Sequence, residues 1–284
     1  MTRLKNVFLF SFAVVFTSLS LNAQVIEGAA PRDGFYDRVW IEEKKPIELP
    51  YVREADVLWQ KRVWQVIDLR EKINHPLYFP TTTIDDRQSL MQVLMSSITE
   101  GSIRAYEDDE FTVPMSIEEI RANYERQEVR RFTRPDPPYE EYDSLIRIPL
   151  AAEDVTKYRI KEDWFFDSKR SMLDVRIVGI CPVRERIDPT TGESLGDQPL
   201  FWVYFPEARN IFVNRPVFNR WNDAQRISFD DLFMRRMFNS YIYKESNVMD
   251  RQISEYIEYT LDQLLEAERV RNEIRNFELD IWEY

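Results

Sequence analysis

The sequence predicts an α+β protein of two lobes, with helical pairs packed with a small antiparallel sheet in the second half. Three observations lead to this fold class. Apolar residues recur at helical spacing in the first half, β-branched and aromatic residues cluster in three runs after residue 150, and helical patterns return after residue 228. Strands followed by helices, rather than alternating with them, are typical of α+β proteins.

Composition restricts the classes of function. The 284 residues include 38 Lys and Arg, 50 Asp and Glu, one His and one Cys, for a formal net charge of −12. Binding to nucleic-acid phosphates needs clustered positive charge, which this balance disfavours. Cys181 alone excludes an intramolecular disulfide and any Cys-cluster metal site. No cofactor or metal site is predicted, and Cys181 is expected in a buried strand.

Residues 1–23 have the three-part pattern of a secretory signal peptide. Arg3 and Lys5 form a positive region, an uncharged run of 13 residues follows, and the small residue Ala23 stands at the cleavage edge. The run is shorter than the ~20 residues of a membrane span. We predict cleavage between Ala23 and Gln24, with an uncleaved anchor or a buried helix as the alternatives.

An extended arm over residues 24–52 is predicted to precede the first lobe, residues 53–132. The arm is rich in proline, which lacks a ladder donor, and it carries aromatic anchors that include Trp40. In the lobe, Trp59 and Val63 begin an apolar face that predicts a helix over residues 54–73.

Two further helices are predicted in the first lobe. One covers residues 85–100 and ends at Gly101, and the other begins with a capping box at Ser116 and continues to Arg131. Short strands over 103–106 and 111–113 lie between them.

The second half begins after a Pro-rich linker, residues 133–151. The lobe itself covers residues 152–275 and is followed by a tail, 276–284. Its predicted strands and helices follow in order: strands over 158–166, 172–186 and 200–205, which make an antiparallel meander the simplest topology, one helical turn at 206–209, and helices over 229–243 and 249–274.

The motifs that resemble catalytic sites lack the context that catalysis needs. Gly192–Gly196 matches G-x-S-x-G, but it lies in hairpin-loop sequence, and the only histidine, His75, precedes the serine. The acidic run 107–110 lacks the order of an EF-hand loop and is more simply a solvated turn. Paired carboxylates are too numerous for a dyad to be identified. No catalytic residue is therefore predicted.

Aromatic pairs supply the candidates for protein–protein contact. Trp59 and Trp64 are five residues apart, as are Phe233 and Phe238. On a helix, the two members of such a pair do not lie on the same face. One member of each pair is a candidate interface anchor, while an entirely intramolecular core is the alternative.

The tail offers a second kind of contact. Phe277, Leu279 and Ile281 alternate with acidic residues before Trp282. This alternation is typical of a strand that adds to a sheet edge, either its own or a partner's. The acidic charge of the chain favours basic partners.

Several segments resemble the GldN/PorN gliding-motility family of the type IX secretion system. The resemblance is carried by the signal peptide, the predicted aromatic-basic helix Leu58–Ile67, the segments Tyr158–Phe166 and Leu173–Ile180, and the strand Phe201–Pro206. Trp164-Phe165-Phe166 and Phe201–Pro206 are its most specific parts. The resemblance covers essentially the whole mature chain.

This resemblance implies a periplasmic, non-enzymatic part of a secretion machine. It implies assembly with the outer-membrane lipoprotein GldK/PorK into a ring under the outer membrane, with association to that membrane through the lipoprotein. It also implies self-association within the ring and a link to the GldL–GldM motor, whose periplasmic part is GldM/PorM. The arm and the tail are expected to cross onto neighbouring subunits.

Two other functions remain open at this stage. An exported enzyme acting on envelope carbohydrate would need convergent carboxylates in a pocket. A chaperone that holds export substrates would need a concave apolar groove. A scaffold should instead expose apolar patches and a protruding arm.

Overall fold

A large antiparallel sheet dominates the structure, a computed structural model that describes residues 44–84, 86–133, 141–148, 150–188, 192–222 and 224–282. The predicted signal peptide, its cleavage site at Ala23 and Gln24, and the arm before Lys44, including Trp40, lie outside the described residues.

The described part contains the following elements. The strands are β1 (Val57–Asp68), β2 (Ala105–Tyr106), β3 (Pro114–Met115), β4 (Arg126–Thr133), β5 (Glu141–Ile148), β6 (Val155–Asp167), β7 (Met172–Ile187), β8 (Ser194–Pro199), β9 (Trp202–Tyr204), β10 (Pro216–Val217), β11 (Ile227–Ser228) and β12 (Tyr241–Glu245). The helices are α1 (His75–Tyr78), α2 (Leu90–Thr99), α3 (Ile117–Tyr124), α4 (Phe205–Phe212), α5 (Phe229–Met234), α6 (Ile253–Tyr256) and α7 (Thr260–Trp282).

The main sheet has eight strands among the described residues. Its order is β12-β1-β6-β7-β9-β2-β3, and β8 pairs with β7 beside β9. The long hairpin of β6 and β7 forms its centre, with Ile160 opposite Ile180. The predicted antiparallel meander of the second half is confirmed, and the mixed α+β class with it.

β1 corrects the prediction of a helix over residues 54–73. Trp59 and Val63 are four residues apart, a spacing that places two side chains on one face of a helix and also on one face of a strand. β1 pairs with β6 over most of its length and with β12 on its other side. Its valines and tryptophans fit a pleated surface between two partners, and this packing determines the outcome.

The two predicted lobes share one sheet and one core in the described part of the chain. β1 belongs to the first predicted lobe and lies between β6 and β12 of the second. The largest hydrophobic cluster also mixes them, because Leu90 and Leu94 of α2 pack in the same cluster as Tyr158 of β6 and Phe201. The four phenylalanines Phe205, Phe212, Phe229 and Phe233 fill its second-half side.

Caps fix two helices where the sequence placed them. Ser89 forms a capping box with Gln92 at the start of α2, so the predicted helix is confirmed but begins at Leu90. Gly101 follows it at φ 73°, as its predicted stop. Ser116 forms the predicted capping box with Glu119.

The stretch from α3 to residue 150 differs from the prediction. α3 ends at Tyr124 instead of Arg131, and residues 126–133 form β4. β4 pairs with β5 in a separate two-stranded antiparallel sheet. The predicted linker 133–151 therefore contains a strand, because β5 has a neighbouring partner that supplies its backbone hydrogen bonds.

The predicted helix 229–243 is observed only as the short helix α5, which ends at Met234. The strand β12 begins at Tyr241, within the range predicted as helix. Arg236 adopts a left-handed conformation with φ 52°, and Met237 N–H donates to the Leu232 carbonyl. This is a Schellman-type helix end with arginine where glycine is usual, so no residue in the sequence marks it. Tyr241–Glu245 then pairs with β1 at the sheet edge.

α7 corrects the prediction of a strand-forming tail. The predicted helix 249–274 is observed as α6 and α7, and α7 continues to Trp282. Ala267, Val270 and Ile274 pack with Val63 of β1 and Ile242 of β12. Phe277 extends this stripe by a further three residues, so the helical period continues through the tail.

Candidate interaction surfaces

The end of α7 is fixed to the start of β1 by aromatic rings. Phe277 stacks on Trp59 with ring centroids 4.4 Å apart, and it meets the edge of Phe166 at 6.4 Å. Leu279, two residues further along the helix, is exposed. The backbone of Ile281 and Trp282 belongs to α7, while their side chains lie outside the described part. The tail is therefore anchored at Phe277 and extends beyond it.

A buried carboxylate joins β6 to the loop after α5. The Glu162 side chain is 0% exposed, and Arg236 donates to it from Nη1 at 2.7 Å and Nη2 at 3.2 Å. Gln65 Nε2 donates at 2.8 Å and Trp164 Nε1 at 3.2 Å. Four donors thus satisfy a charge that would otherwise be costly to bury.

A chain of hydrogen bonds extends this network to α7. The Ser240 hydroxyl donates to Gln65 Oε1, and the Arg271 guanidinium of α7 donates to the Ser240 carbonyl. The cluster lies beneath a cavity of about 340 Å³ that Arg275 and Glu278 also line. We interpret the network as the polar link that attaches α7 to the sheet.

Cations and aromatic rings cover the opposite face of β1 and β6. Lys161 is buried, lies 3.3 Å from Asp109 Oδ2, and donates to the Asp109 carbonyl at 2.6 Å. Trp64 Nε1 donates to the same carboxylate at 2.8 Å. Lys244 Nζ lies over the Trp64 ring, 4.5 Å from its centroid. The acidic turn 107–110 therefore anchors a loop onto the sheet.

The neighbouring Asp108 stabilises that turn from within. The Thr112 hydroxyl donates to its carboxylate, and this hydrogen bond holds the pKa of Asp108 below its usual value. The turn is thus held by side-chain contacts at both of its aspartates.

Apolar side chains are exposed at three places around this core. The first place is the segment 44–53, where Ile47 and Tyr51 are exposed. Two hydrogen bonds hold this segment: Arg209 of α4 donates to the Ile47 carbonyl, and Arg176 of β7 donates to the Pro50 carbonyl. A second patch at the start of α7 consists of Tyr259, Leu261, Leu264 and Leu265.

The third place is a groove beside α1, which we call the α1 groove. Its volume is about 450 Å³, and its apolar lining includes Phe79, Ile84 and Phe218. Three cations, Lys72, Arg87 and Arg220, also line it. His75 lies here at the start of α1, with its ring 5.6 Å from that of Phe79.

Three of the predicted interface candidates lie inside the molecule. Trp64 is buried against Cys181 and Trp202, and Phe233 and Phe238 belong to the largest core cluster. Trp59 is half-buried under Phe277. Leu279 is the described candidate that is exposed, and it lies in a helix instead of the predicted strand.

Sequence reasoning missed the α1 groove. Phe79 stands beside Pro80, with Arg87 eight residues after it. Phe218 stands two residues after Pro216 and two residues before Arg220. This signal was present in the sequence, although only the fold brings the two segments together.

The reactive groups considered from the sequence have structural surroundings. Cys181 is fully buried in β7, as predicted, and burial raises the pKa of its thiol to about 12. Ser194 begins β8 just after a backbone hydrogen bond from the Asp188 N–H to the Glu193 carbonyl, whereas a nucleophile elbow places its serine between a strand and a helix. Among the described residues, no group of three or more His, Cys, Asp or Glu side chains is arranged to hold a metal ion.

Comparison with known families identifies the chain. Residues 52–283 match the family model described as Gliding motility associated protein GldN. The chain belongs to the GldN family. The match begins just before β1 and ends one residue after α7, so it includes the whole sheet, the α1 groove and the anchored tail of this GldN-family chain. Comparison with curated proteins gives no match.

GldN membership indicates involvement in gliding motility and type IX secretion. In the described part of the chain, no helix combines the length and the apolar character that a membrane span requires.

Proposed function

We propose that this chain is a periplasmic structural component of the type IX secretion and gliding-motility machinery. It assembles with a GldK/PorK-like lipoprotein into a ring under the outer membrane, and the ring is linked to the GldL–GldM motor through the GldM/PorM-like component. The chain works by contact with its neighbours and carries out no reaction.

The family match over residues 52–283 is the observation that carries this proposal. Exposed apolar side chains support it, since Ile47, Tyr51, Tyr259 and Leu261 are each more than two-thirds exposed. Clusters of this kind mark surfaces that other proteins cover. The Glu162 network and the aromatic anchor at Phe277 support it as well, because they fix the outer elements to the sheet.

Capture from the cell envelope tests the proposal. The tagged full-length chain is expressed in cells that lack their own copy, the envelope is crosslinked mildly, and co-purified proteins are identified. We expect the lipoprotein and the motor component to be captured, and secretion and gliding to be restored. A matched variant, Leu261→Asp with Leu264→Asp, should retain its fold and lose part of the capture.

Two results would oppose the proposal. Capture of many secreted cargo proteins without the lipoprotein would favour a chaperone. Restored secretion without either machinery partner would leave no role for the chain as a ring component.

A further inference from the structure

The α1 groove combines apolar walls with positive charge on an acidic protein. Phe79, Ile84 and Phe218 are about half exposed within it. Lys72, Arg87 and Arg220 form no ion pair with any described residue, and Asp86 pairs instead with Arg226 at 3.5 Å. The formal net charge of the chain is −12. A local excess of cations around apolar side chains fits a segment that is both acidic and apolar.

Aromatic rings also hold two of the groove cations in place. The Arg87 guanidinium lies 5.5 Å from the centroid of Phe218, and that of Arg220 lies 5.5 Å from Trp221. Stacking of this kind leaves the N–H groups at the edge of the guanidinium free for a carboxylate. The groove is therefore prepared for carboxylates at its rim and apolar side chains at its centre.

The C-terminal segment of the chain has the complementary chemistry. Apolar and acidic positions alternate from Phe277 to Ile281, with acidic Glu278 and Asp280, and the segment continues as Trp282-Glu283-Tyr284. Glu278 and Asp280 are exposed and form no ion pair within the described part of the chain. The last turn of α7 carries no basic residue, so these carboxylates lie at the negative end of the helix dipole. Glu278 shares a cavity with Arg275 without forming an ion pair, so a cation from another molecule would still stabilise these carboxylates.

The tail lies apart from the α1 groove of its own chain in the described structure. Phe277 is anchored on Trp59 near the start of β1, and α7 continues as a helix to Trp282. Glu278 lines the cavity near Ser240, whereas the residues that line the α1 groove all lie outside α7. The fixed helix therefore holds the tail at a different surface of the subunit, so the groove that the tail would fill belongs to a second copy.

We infer that the α1 groove binds the C-terminal segment 277–284 of a second copy of this chain. This inference rests on the proposed function and names the surfaces of its self-association. Leu279 enters among the groove phenylalanines, while Glu278 and Asp280 face Arg87 and Arg220. The contact is head to tail, and a head-to-tail contact repeated by a closing rotation generates a ring.

Charge exchange between the two surfaces tests the inference. The groove variant is Arg87→Glu with Arg220→Glu, and the tail variant is Glu278→Lys with Asp280→Lys. The mature chain and each variant are compared by sedimentation velocity over a range of concentrations. Each variant alone should associate at least about tenfold more weakly than the unchanged chain, and a mixture of the two should associate with each other. The control, Lys45→Glu with Arg121→Glu, should associate like the unchanged chain.

A second experiment measures the binding of a synthetic peptide, so its result does not depend on the folding of a tail variant. A labelled peptide of residues 277–284 should bind the full mature chain, and should bind the groove variant at least about tenfold more weakly. The same peptide with Gln and Asn at its three acidic positions should also bind weakly. Equal binding to all proteins, no binding, or no association in the variant mixture would overturn the inference.

The two proposals fail separately in these experiments. If the groove variant self-associates normally but still captures the lipoprotein, the head-to-tail contact is wrong and the proposed function stands. If the peptide binds as expected but the lipoprotein is not captured, the contact stands and the proposed function fails.

Discussion

Replacing Arg236 with methionine should destabilise the protein through the charge left behind on Glu162. The substitution removes both guanidinium hydrogen bonds, at 2.7 and 3.2 Å. The carboxylate, 0% exposed, keeps only Gln65 and Trp164 as donors. Methionine retains much of the volume of arginine, so the lost pairing dominates the effect.

The magnitude follows from burial on the two sides of the pair. Removing one partner of a buried ion pair costs about 3–5 kcal/mol. The Arg236 side chain is 31% exposed, so water screens part of the charge and favours the lower end of that range. We expect about 3 kcal/mol of lost unfolding free energy for Arg236→Met. Glu162→Gln combined with Arg236→Met should cost less than the sum of the two single changes, with a coupling of about 2 kcal/mol.

Urea denaturation followed by tryptophan fluorescence measures these changes, and the slope with denaturant should stay constant. Arg235→Met is the matched control, because Arg235 is exposed and meets Asp231 only at 3.8 Å, so it should change stability by less than about 1 kcal/mol. A loss below about 1 kcal/mol for Arg236→Met, or a coupling below about 0.5 kcal/mol, would refute the reasoning.

Three further predictions concern a thiol, a cap and an acidic turn. Cys181 should resist maleimide labelling in the native protein at pH 8 and react fully in denaturant, since burial raises its pKa to about 12; rapid native labelling would contradict its position in β7. Ser89→Ala should lower the unfolding free energy by about 1 kcal/mol by removing the cap of α2, with Thr99→Ala, at the exposed end of the helix, as the comparison. The Arg170 guanidinium hydrogen-bonds Asp167 and lowers the pKa of that carboxyl below its unfolded value, so its stabilisation is present above about pH 4 and is lost as pH falls through the folded pKa. Asp167→Asn should therefore lower the melting temperature at pH 7 and flatten its fall between about pH 5 and pH 2; parallel curves would show that this carboxyl contributes nothing to the acid transition.

The elements that the sequence predicted correctly are those whose signals are local. Ser89 and Ser116 stand three residues before a side chain that completes their capping boxes. The central strands β6 and β7 contain β-branched and aromatic runs with a turn between them. Each of these signals acts within a few residues, so no distant contact is needed to interpret them.

The elements that were predicted wrongly depend on distant partners. β1 is a strand because β6 and β12, from the other half of the chain, lie on either side of it. α5 ends early because Arg236 turns into a left-handed conformation, from which its guanidinium reaches Glu162, 74 residues away. The α1 groove joins residues near 79 to residues near 218, and only the folded core brings them together.

α7 connects the stability of the core to the proposed head-to-tail contact. Arg271 attaches the helix to the Ser240 and Gln65 network, and Phe277 fixes its end on Trp59. A tail that leaves the body from a fixed helix loses less conformational freedom on binding than a free peptide of the same sequence. Substitutions that loosen α7 should therefore reduce stability and self-association together. Those at Arg87 and Arg220 should reduce self-association alone, because the groove contributes no ion pair to the described fold.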